Sequence, residues 1–340
     1  MTDSGGIWQA SGALALAVVA GAALAAAALI YLLYPLLRVY ALAPPNARSS
    51  HTAPTPQGGG IAVVAATVLA CGVAALLTPG FATGTLAVVF AATVVLAVTG
   101  ATDDIRPLEA LPRLAIQSLA VLLVLYALPA QIHLLTALPL WLERALLFVG
   151  LLWFVNLVNF MDGIDWMTVA EVVPVAGALA LFGLWGALPA ETTLAALALC
   201  GAMLGFAPFN RPVARLFLGD VGSLPVGLLL GWMLVLLGDE HLAAALLLPL
   251  YYVADATITL LRRWRAGEKL MQAHRSHFYQ RALVGGMRVP AIVARVFALN
   301  LALIALAALT LWLPLLTVHI AALAAGCALV ALLLYDFGRR

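Results

Sequence analysis

Charge is scarce in this chain of 340 residues: Asp, Glu, Lys and Arg make up 9% of it, whereas 65% is hydrophobic. Soluble domains carry about 25% charged and about 45–50% apolar residues. So few charged side chains cannot cover the surface of a soluble protein of this length. The composition excludes a cytosolic enzyme, a disordered protein and a nucleic-acid-binding protein, and it predicts a protein embedded in a lipid bilayer.

Several motifs are also absent. The cysteines Cys71, Cys200 and Cys327 stand in neither a C-x-x-C nor a zinc-binding spacing, so we interpret them as packing residues. No Gly-Lys-Ser/Thr follows the glycines at 58–60, which excludes a P-loop. No basic residue precedes the first apolar run, which is also too long for a signal-peptide core, so we expect it to be retained.

Long apolar stretches are what the sequence does contain. A helix needs about 20 mostly apolar residues to cross the hydrocarbon core of a bilayer, and barrel strands would be about 10 residues long and alternating. We therefore predict an all-α, polytopic membrane protein with about eleven (10–11) transmembrane helices in a single domain, 1–340. The predicted spans are 13–40, 59–78, 83–101, 111–130, 138–160, 168–189, 192–209, 221–238, 241–261, 290–313 and 315–335.

Basic residues predict the orientation. With these spans, every Lys and Arg except Arg144 falls on one face, and the positive-inside rule makes that face cytoplasmic. The N-terminus is then outside and the C-terminus in the cytoplasm. We expect the functional residues in the cytoplasmic loops 41–60, 101–113, 156–168, 210–223 and 262–289.

Adjacent carboxylates end the third predicted span. Asp103 and Asp104 repel each other, so they favour a cation, a proton or a basic neighbour between them. Arg106 and Arg113 follow and offer contacts for phosphate. The alternative interpretation is a solvated helix terminus.

Polar side chains recur at the inner end of the fifth span. Asn156, Asn159 and Asp162 are spaced by three and share a helix face, and Gly163 and Asp165 follow. Polar groups at this depth are costly unless they pair, bind a metal or face a ligand, and their oxygens suit Mg²⁺. A packing cluster of asparagines is the alternative.

Two further segments carry polar chemistry. Asp220 lies between Gly219 and Gly222 at the start of the eighth span. The glycines allow close backbone approach and the helix N-terminus favours an anion, or Asp220 is a plain N-cap. The segment 274–281, HRSHFYQR, can clamp a diphosphate through paired arginine donors, or it can attract anionic lipid or hold a metal.

Together these motifs resemble those of the polyprenyl-phosphate N-acetylhexosamine-1-phosphate transferases (glycosyltransferase family 4), especially the O-antigen-initiating undecaprenyl-phosphate enzymes. The resemblance covers about residues 40–290. It implies a multi-pass enzyme of the bacterial inner (plasma) membrane whose active site faces the cytoplasm. Such an enzyme transfers a HexNAc-1-phosphate from a UDP-HexNAc donor to undecaprenyl phosphate and releases UMP, the first membrane step of a surface polysaccharide. It also implies Mg²⁺, with Mn²⁺ as a substitute, and is compatible with a homodimer.

The resemblance also assigns roles to single residues. Asp103 is implied to deprotonate or position the lipid phosphate. The full assignment is catalytic Asp103, Asp104 and Asp162; metal-binding Asp220 and Asn159; nucleotide- or uracil-binding Asn156 and Asp165; phosphate-binding Arg113, His274, Arg275, His277 and Arg281; and an entrance loop with Arg48, His51, Gly58, Gly59 and Gly60.

Two departures from the family pattern bear on specificity. The segment HRSHFYQR differs from the HxHH type of the N-acetylglucosamine enzymes and is more similar to transferases that use a 6-deoxy-HexNAc such as FucNAc or QuiNAc. Gln57 stands where relatives often carry a basic residue, which argues against a phosphate contact there.

A secondary transporter with an acidic ion site on the cytoplasmic side is the alternative function, and a scaffold for polysaccharide assembly is a third. Asp255, inside the predicted span 241–261, favours transport, although we expect it to pair with a nearby loop arginine. The outer-face acids are expected to be ordinary solvated loop residues; they are Asp3, Glu143, Glu191, Asp239 and Glu240.

Overall fold

The computed structural model describes residues 12–43, 54–78, 81, 84–269 and 274–339. Within these ranges the chain forms helices and one two-stranded antiparallel sheet, β1 (Leu42–Ala43) with β2 (Thr55–Pro56). The helices are α1 (Gly12–Tyr40), α2 (Gly59–Leu77), α3 (Gly84–Ile105), α4 (Ala110–Ala127), α5 (Leu140–Met161), α6 (Met167–Leu184), α7 (Ala190–Phe206), α8 (Asp220–Leu247), α9 (Leu250–Arg265), α10 (Phe278–Val284), α11 (Val289–Trp312) and α12 (Leu316–Gly338).

Nine helices of the described part of the chain are long and apolar enough to cross a membrane, namely α1 to α6, α8, α11 and α12, and α7 is a shorter apolar helix. The prediction of an all-α, polytopic membrane protein is confirmed. The count of about eleven spans and the sides of the two termini stay predictions. The predicted span 241–261 is divided in the structure, because α8 continues past a non-helical residue, His241, to Leu247 and α9 begins at Leu250.

Helix α8 is the centre of the fold. The most apolar 18-residue stretch of α8 is completely buried, and the helix packs against α2, α3, α5 and α11. A helix that is hydrophobic on all sides is stable only when it is surrounded by protein or lipid. Gly227 and Gly231 let α5 come close, since a Cβ at Gly231 would lie 2.8 Å from Leu151 Cδ2. The central helix therefore holds its first residue, Asp220, at a fixed place among the surrounding helix ends.

The first helix packs on α7 through two glycines spaced by four. A Cβ at Gly201 would lie 2.3 Å from the Val19 carbonyl oxygen, and one at Gly205 would lie 2.2 Å from the Ala23 carbonyl oxygen. Small residues at this spacing let two membrane helices approach at backbone distance. The contact fixes α1, and hence the sheet that follows it, against the helix that precedes the 207–219 segment.

We expect Gly205→Leu to lower the thermal stability of the detergent-purified protein, because the new side chain has no space against α1. Overpacking of this kind costs about 1–3 kcal/mol. Gly150→Leu is the matched control: Gly150 is also helical, is exposed, and has open space where its Cβ would stand. Equal melting temperatures for the two variants would contradict the close contact.

Candidate functional site

Asp104 caps the central helix from outside. Its two carboxylate oxygens accept hydrogen bonds from the backbone N–H groups of Asp220 (3.0 Å) and Val221 (3.1 Å). The first N–H groups of a helix have no partner within the helix, so a carboxylate from α3 completes the N-terminus of α8. Gly219 is required beside it, because its φ is +78° and a Cβ there would lie 2.5 Å from Asp104 Oδ2. Asp104 therefore determines where Asp220 lies, and the catalytic role predicted for Asp104 stays a prediction.

Arg113 lies between two carboxylates. Its Nη1 donates to Asp103 Oδ2 at 2.8 Å and lies 3.8 Å from Asp220 Oδ2. The other oxygen of Asp103 accepts the Leu108 N–H at 2.6 Å. One guanidinium thus offsets the repulsion between Asp103 and Asp220. The structure brings all three predicted residues together, and a direct phosphate contact by Arg113 stays a prediction.

Asn159 reaches the same cluster from the end of α5. Its Nδ2 donates to Asp220 Oδ1 at 2.7 Å and to Ser223 Oγ at 2.9 Å. Asn156, one turn earlier, points to α4, where its Nδ2 donates to Gln117 Oε1 at 2.8 Å. The two predicted metal ligands, Asp220 and Asn159, are therefore adjacent, whereas Asn156 is engaged by a residue that the sequence analysis did not single out.

The loop after α5 is tied to two different elements. The hydroxyl of Thr168 donates to Asp162. Burial raises the pKa of the Asp162 carboxyl to about 6, and the charges of Asp104 and Asp165 add to the rise. Asp165 is buried and accepts the Ala214 N–H at 3.0 Å. In the structure Asp165 thus binds the backbone of the 207–219 segment, and its predicted contact with uracil stays a prediction.

The glycines at 58–60 are buried against the start of α8. The N–H groups of Gly59 and Gly60 donate to the carbonyl oxygens of Phe217 (2.9 Å) and Leu218 (2.8 Å). A Cβ at Gly60 would lie 2.2 Å from the Cα of Gly222, which explains the need for glycine there. Arg48 and His51 of the predicted entrance loop lie outside the described residues.

Gln57, which we expected to make no phosphate contact, has a structural partner. Its Nε2 donates to the Asp104 carbonyl oxygen at 2.7 Å. The side chain thereby joins the segment after β2 to the end of α3. The backbone of Asp104, whose carboxylate caps α8, is thus also held by the segment after β2.

Asp255 holds the start of α10, and the expectation that it pairs with a loop arginine is wrong. Its carboxylate is fully buried between α9 and α10, and a carboxylate is a stable acceptor in such a place only when several donors surround it. Five donors do so: His277 Nδ1 and the Phe278 N–H, both at 3.1 Å, and the Tyr279 N–H, the Tyr251 hydroxyl and the Thr259 hydroxyl, each at 3.3 Å.

The residues predicted to bind phosphate in this segment are consequently not equivalent. His277 is only 3% exposed and is stacked between the rings of His274 and Tyr279, at centroid distances of 5.0 and 5.7 Å. Arg281 donates to the Gly338 carbonyl oxygen at 2.7 Å. Arg275 is exposed and lines a cleft. His277 and Arg281 thus hold protein atoms, and the phosphate roles of all four stay predictions.

Tyr279 joins this segment to the end of α5. Its hydroxyl donates to the Phe160 carbonyl oxygen at 3.2 Å, and a Cβ at Gly163 would lie 2.1 Å from the same hydroxyl. The 274–281 segment therefore lies directly beside the loop that carries Asp162 and Asp165.

The expectation of ordinary solvated loop residues is wrong for two of the outer-face acids, Glu143 and Asp239, and Asp3 lies outside the described residues. Glu143 is fully buried; its oxygens accept the Leu134 N–H at 2.7 Å and lie 2.8 Å from His133 Nδ1. Asp239 accepts the His133 N–H at 2.8 Å. Asp239 thus ties the α4–α5 connection to α8, whereas Glu143 ties it to the start of α5. His133, in the α4–α5 connection, is the residue of the sequence that could have indicated partners for these two acids.

Known proteins match a large part of the chain. The sequence model of Glycosyl transferase family 4 matches residues 86–238. The decaprenyl-phosphate N-acetylglucosaminephosphotransferase of Mycolicibacterium smegmatis is 30% identical over 287 residues, which cover 73% of this chain and 70% of that protein. The chain belongs to glycosyl transferase family 4. The resemblance to polyprenyl-phosphate HexNAc-1-phosphate transferases is thereby confirmed.

Two further relatives of this family 4 member are similar over different lengths. The enzyme of the same name from Mycobacterium tuberculosis is 31% identical over 288 residues, 72% of this chain and 70% of its own. A phospho-N-acetylmuramoyl-pentapeptide-transferase of Enterococcus faecalis is 34% identical over 109 residues, 32% of this chain and 33% of its own. The family match at 86–238 contains Asp103, Asp104 and Asp220, whereas the 274–281 segment lies beyond it.

For this family 4 protein we expect Asp255→Asn to expose the 274–281 segment to protease. An amide replaces one acceptor oxygen by a donor in a buried site filled with donors, and the loss of about 1.4 kcal/mol raises opening tenfold. Trypsin should therefore cleave after Arg275 at least about tenfold faster. Thr259→Val, which removes one donor of the five, is the control and should stay within about threefold of the unaltered protein. An unchanged cleavage rate in Asp255→Asn would mean that the carboxylate does not hold the segment.

Proposed function

We propose that the chain transfers a HexNAc-1-phosphate from a UDP-sugar to undecaprenyl phosphate and releases UMP, at the cytoplasmic face of the bacterial plasma membrane. Membership of family 4 makes it a transferase, and the two mycobacterial relatives named above are decaprenyl-phosphate N-acetylglucosaminephosphotransferases. The observation that carries the proposal is Asp220 at the tip of the buried α8, capped by Asp104 and contacted by Asn159 and Arg113. These helix ends are where a water-soluble donor can meet a lipid acceptor.

Asp220 and Asn159 suit an ion such as Mg²⁺, which takes only part of its ligands from the protein. Among the described residues, no group of three His, Cys, Asp or Glu side chains is arranged to hold a metal ion. Mg²⁺ commonly uses one or two carboxylates together with water and substrate phosphates. Asp220 and Asn159 would hold it, Asn159 by turning its amide oxygen towards the ion. When bound, Mg²⁺ (or Mn²⁺) neutralises charge on the donor diphosphate.

The residues of the chain position the two phosphates. An oxygen of the lipid phosphate attacks the sugar-linked β-phosphorus; the bond from that phosphorus to the bridging oxygen breaks, and UMP leaves with this oxygen. A phosphate monoester has a second pKa of about 6, so the acceptor needs little deprotonation. Asp103 therefore acts by orienting Arg113, which it contacts at 2.8 Å. Such a reaction depends on positioning and electrostatics.

A donor panel tests the proposal. Purified protein with undecaprenyl phosphate, Mg²⁺ and single UDP-HexNAc donors should release UMP and give undecaprenyl-diphosphate-HexNAc, identified by mass. From the segment HRSHFYQR we propose a 6-deoxy-HexNAc donor and a first step in a surface polysaccharide such as O-antigen. No UMP from any donor would contradict the proposal, and UMP with N-acetylglucosamine alone would contradict only the 6-deoxy part. Transport is not supported, because the chain belongs to a transferase family.

A further inference from the structure

An arginine-rich cleft of ≈ 670 Å³ lies between the end of α9 and the 274–281 segment. We call it the arginine cleft. The acid in its lining, Glu268, is paired with Arg263 at 2.8 Å, so the cleft keeps an excess of positive charge. The charged and polar residues that line it are Thr259, Arg262, Arg263, Arg265, Glu268, Arg275, Ser276 and Arg281.

Two arginines of the cleft hold its walls, and two others are exposed. Arg263 is buried and also donates to the Lys269 carbonyl oxygen at 2.8 Å, and Arg281 donates to Gly338, so these two hold the walls. Arg262 and Arg265 are exposed at the end of α9. A guanidinium offers several N–H donors in a fixed plane that matches phosphate oxygens. Arg262 and Arg265 thus give the cleft its capacity for a phosphate group.

An exposed apolar stripe runs along α9 next to these two arginines. Ile258 and Leu261 are each 39% exposed and Trp264 is 64% exposed. The spacing of three places them on one side of the helix, adjacent to Arg262 and Arg265. Tryptophan favours the boundary between lipid and water, and arginine near a helix end extends to the headgroups. The apolar stripe therefore borders the two exposed arginines of the cleft.

We propose that the arginine cleft binds the headgroup phosphate of an anionic phospholipid, whose acyl chains lie along Ile258, Leu261 and Trp264. This ligand is neither the donor nor the acceptor of the transfer reaction. The cleft shares Arg275, Ser276 and Arg281 with the segment from which the donor sugar is proposed, so the inference rests in part on the proposed function. A free nucleotide would use the arginines but leave the apolar stripe uncovered. A zwitterionic lipid would use the stripe but gain less from the excess positive charge.

The full-length protein in detergent, titrated with phosphatidylglycerol or phosphatidylcholine of the same acyl chains, tests this. Native mass spectrometry counts the bound lipid. We expect phosphatidylglycerol to bind about tenfold more tightly than phosphatidylcholine, since each arginine near a lipid surface contributes a substantial electrostatic attraction. The double variant Arg262→Gln/Arg265→Gln should reduce this preference to within about twofold.

Arg288→Gln is the matched control. Arg288 is exposed and lies outside the arginine cleft, and its replacement by glutamine removes the same type of charge. It should keep the preference. If the double variant does not fold, Arg265→Gln alone should lower the preference about threefold. Equal binding of both lipids, equal loss in Arg288→Gln, or displacement of phosphatidylglycerol by excess UMP or by excess undecaprenyl phosphate would each overturn the proposal.

Discussion

UMP release should fall at least about 10³-fold in Asp220→Asn, measured with purified protein, undecaprenyl phosphate, the best UDP-HexNAc donor and Mg²⁺. The variant keeps the size of the side chain and replaces a charged oxygen by an amide. At the tip of α8 this removes the carboxylate that we propose to hold Mg²⁺ beside Asn159, which lies 2.7 Å from it. Loss of electrostatic stabilisation at a buried reacting centre commonly costs several orders of magnitude.

Ser223→Ala is the control for Asp220→Asn. Ser223 accepts the second hydrogen bond of Asn159, at 2.9 Å, and lies one turn along α8. Its loss should lower activity by no more than about tenfold, because the charged ligand remains. Asp220→Asn with the melting temperature of the unaltered protein and substantial Mg²⁺-dependent activity would be incompatible with the proposed metal site.

The all-α, polytopic fold and the positions of the polar motifs could be predicted from the sequence because each depends on local pattern. Apolar length sets a membrane helix, and the spacing Asn156, Asn159, Asp162 sets a helix face whatever surrounds it. Which of these side chains meets which partner depends on contacts between distant parts of the chain. Asn156 and Asn159 have equivalent positions in the pattern, yet one contacts Gln117 in α4 and the other contacts Asp220 in α8.

Buried acids were the least predictable residues for the same reason. A carboxylate in an apolar stretch is costly unless donors surround it, and donors from other elements are invisible in a local pattern. Asp255 is stabilised by the first N–H groups of α10, more than 20 residues away, and Glu143 by the connection that precedes its own helix. In both cases the acid holds a loop to a helix, where the sequence favoured an arginine pair or solvent.

Asp104 and Asp103 should separate by experiment although they are adjacent. Asp104→Ala removes both acceptors for the first N–H groups of α8, 116 residues away from Asp104. Loss of a helix cap costs about 1–2 kcal/mol, so the melting temperature should fall. Because Asp220 would no longer be held in place, the Mg²⁺ concentration for half-maximal UMP release should rise about 10–100-fold.

Asp103→Ala should lower the rate of UMP release without the changes in melting temperature and Mg²⁺ requirement expected for Asp104→Ala. Asp103 caps no helix; it orients Arg113, which it contacts at 2.8 Å. Its loss leaves Arg113 without this partner, while the bonds from Asp104 and Asn159 still hold Asp220. We expect UMP release to fall about 100-fold with little change in melting temperature and in the Mg²⁺ requirement. Asp104→Asn, which keeps one acceptor oxygen, should lie between the unaltered protein and Asp104→Ala in both measurements. Equal melting temperatures for Asp104→Ala and Asp103→Ala would show that the capping bonds do not stabilise α8. Asn159 and the glycine contacts would then determine the position of Asp220.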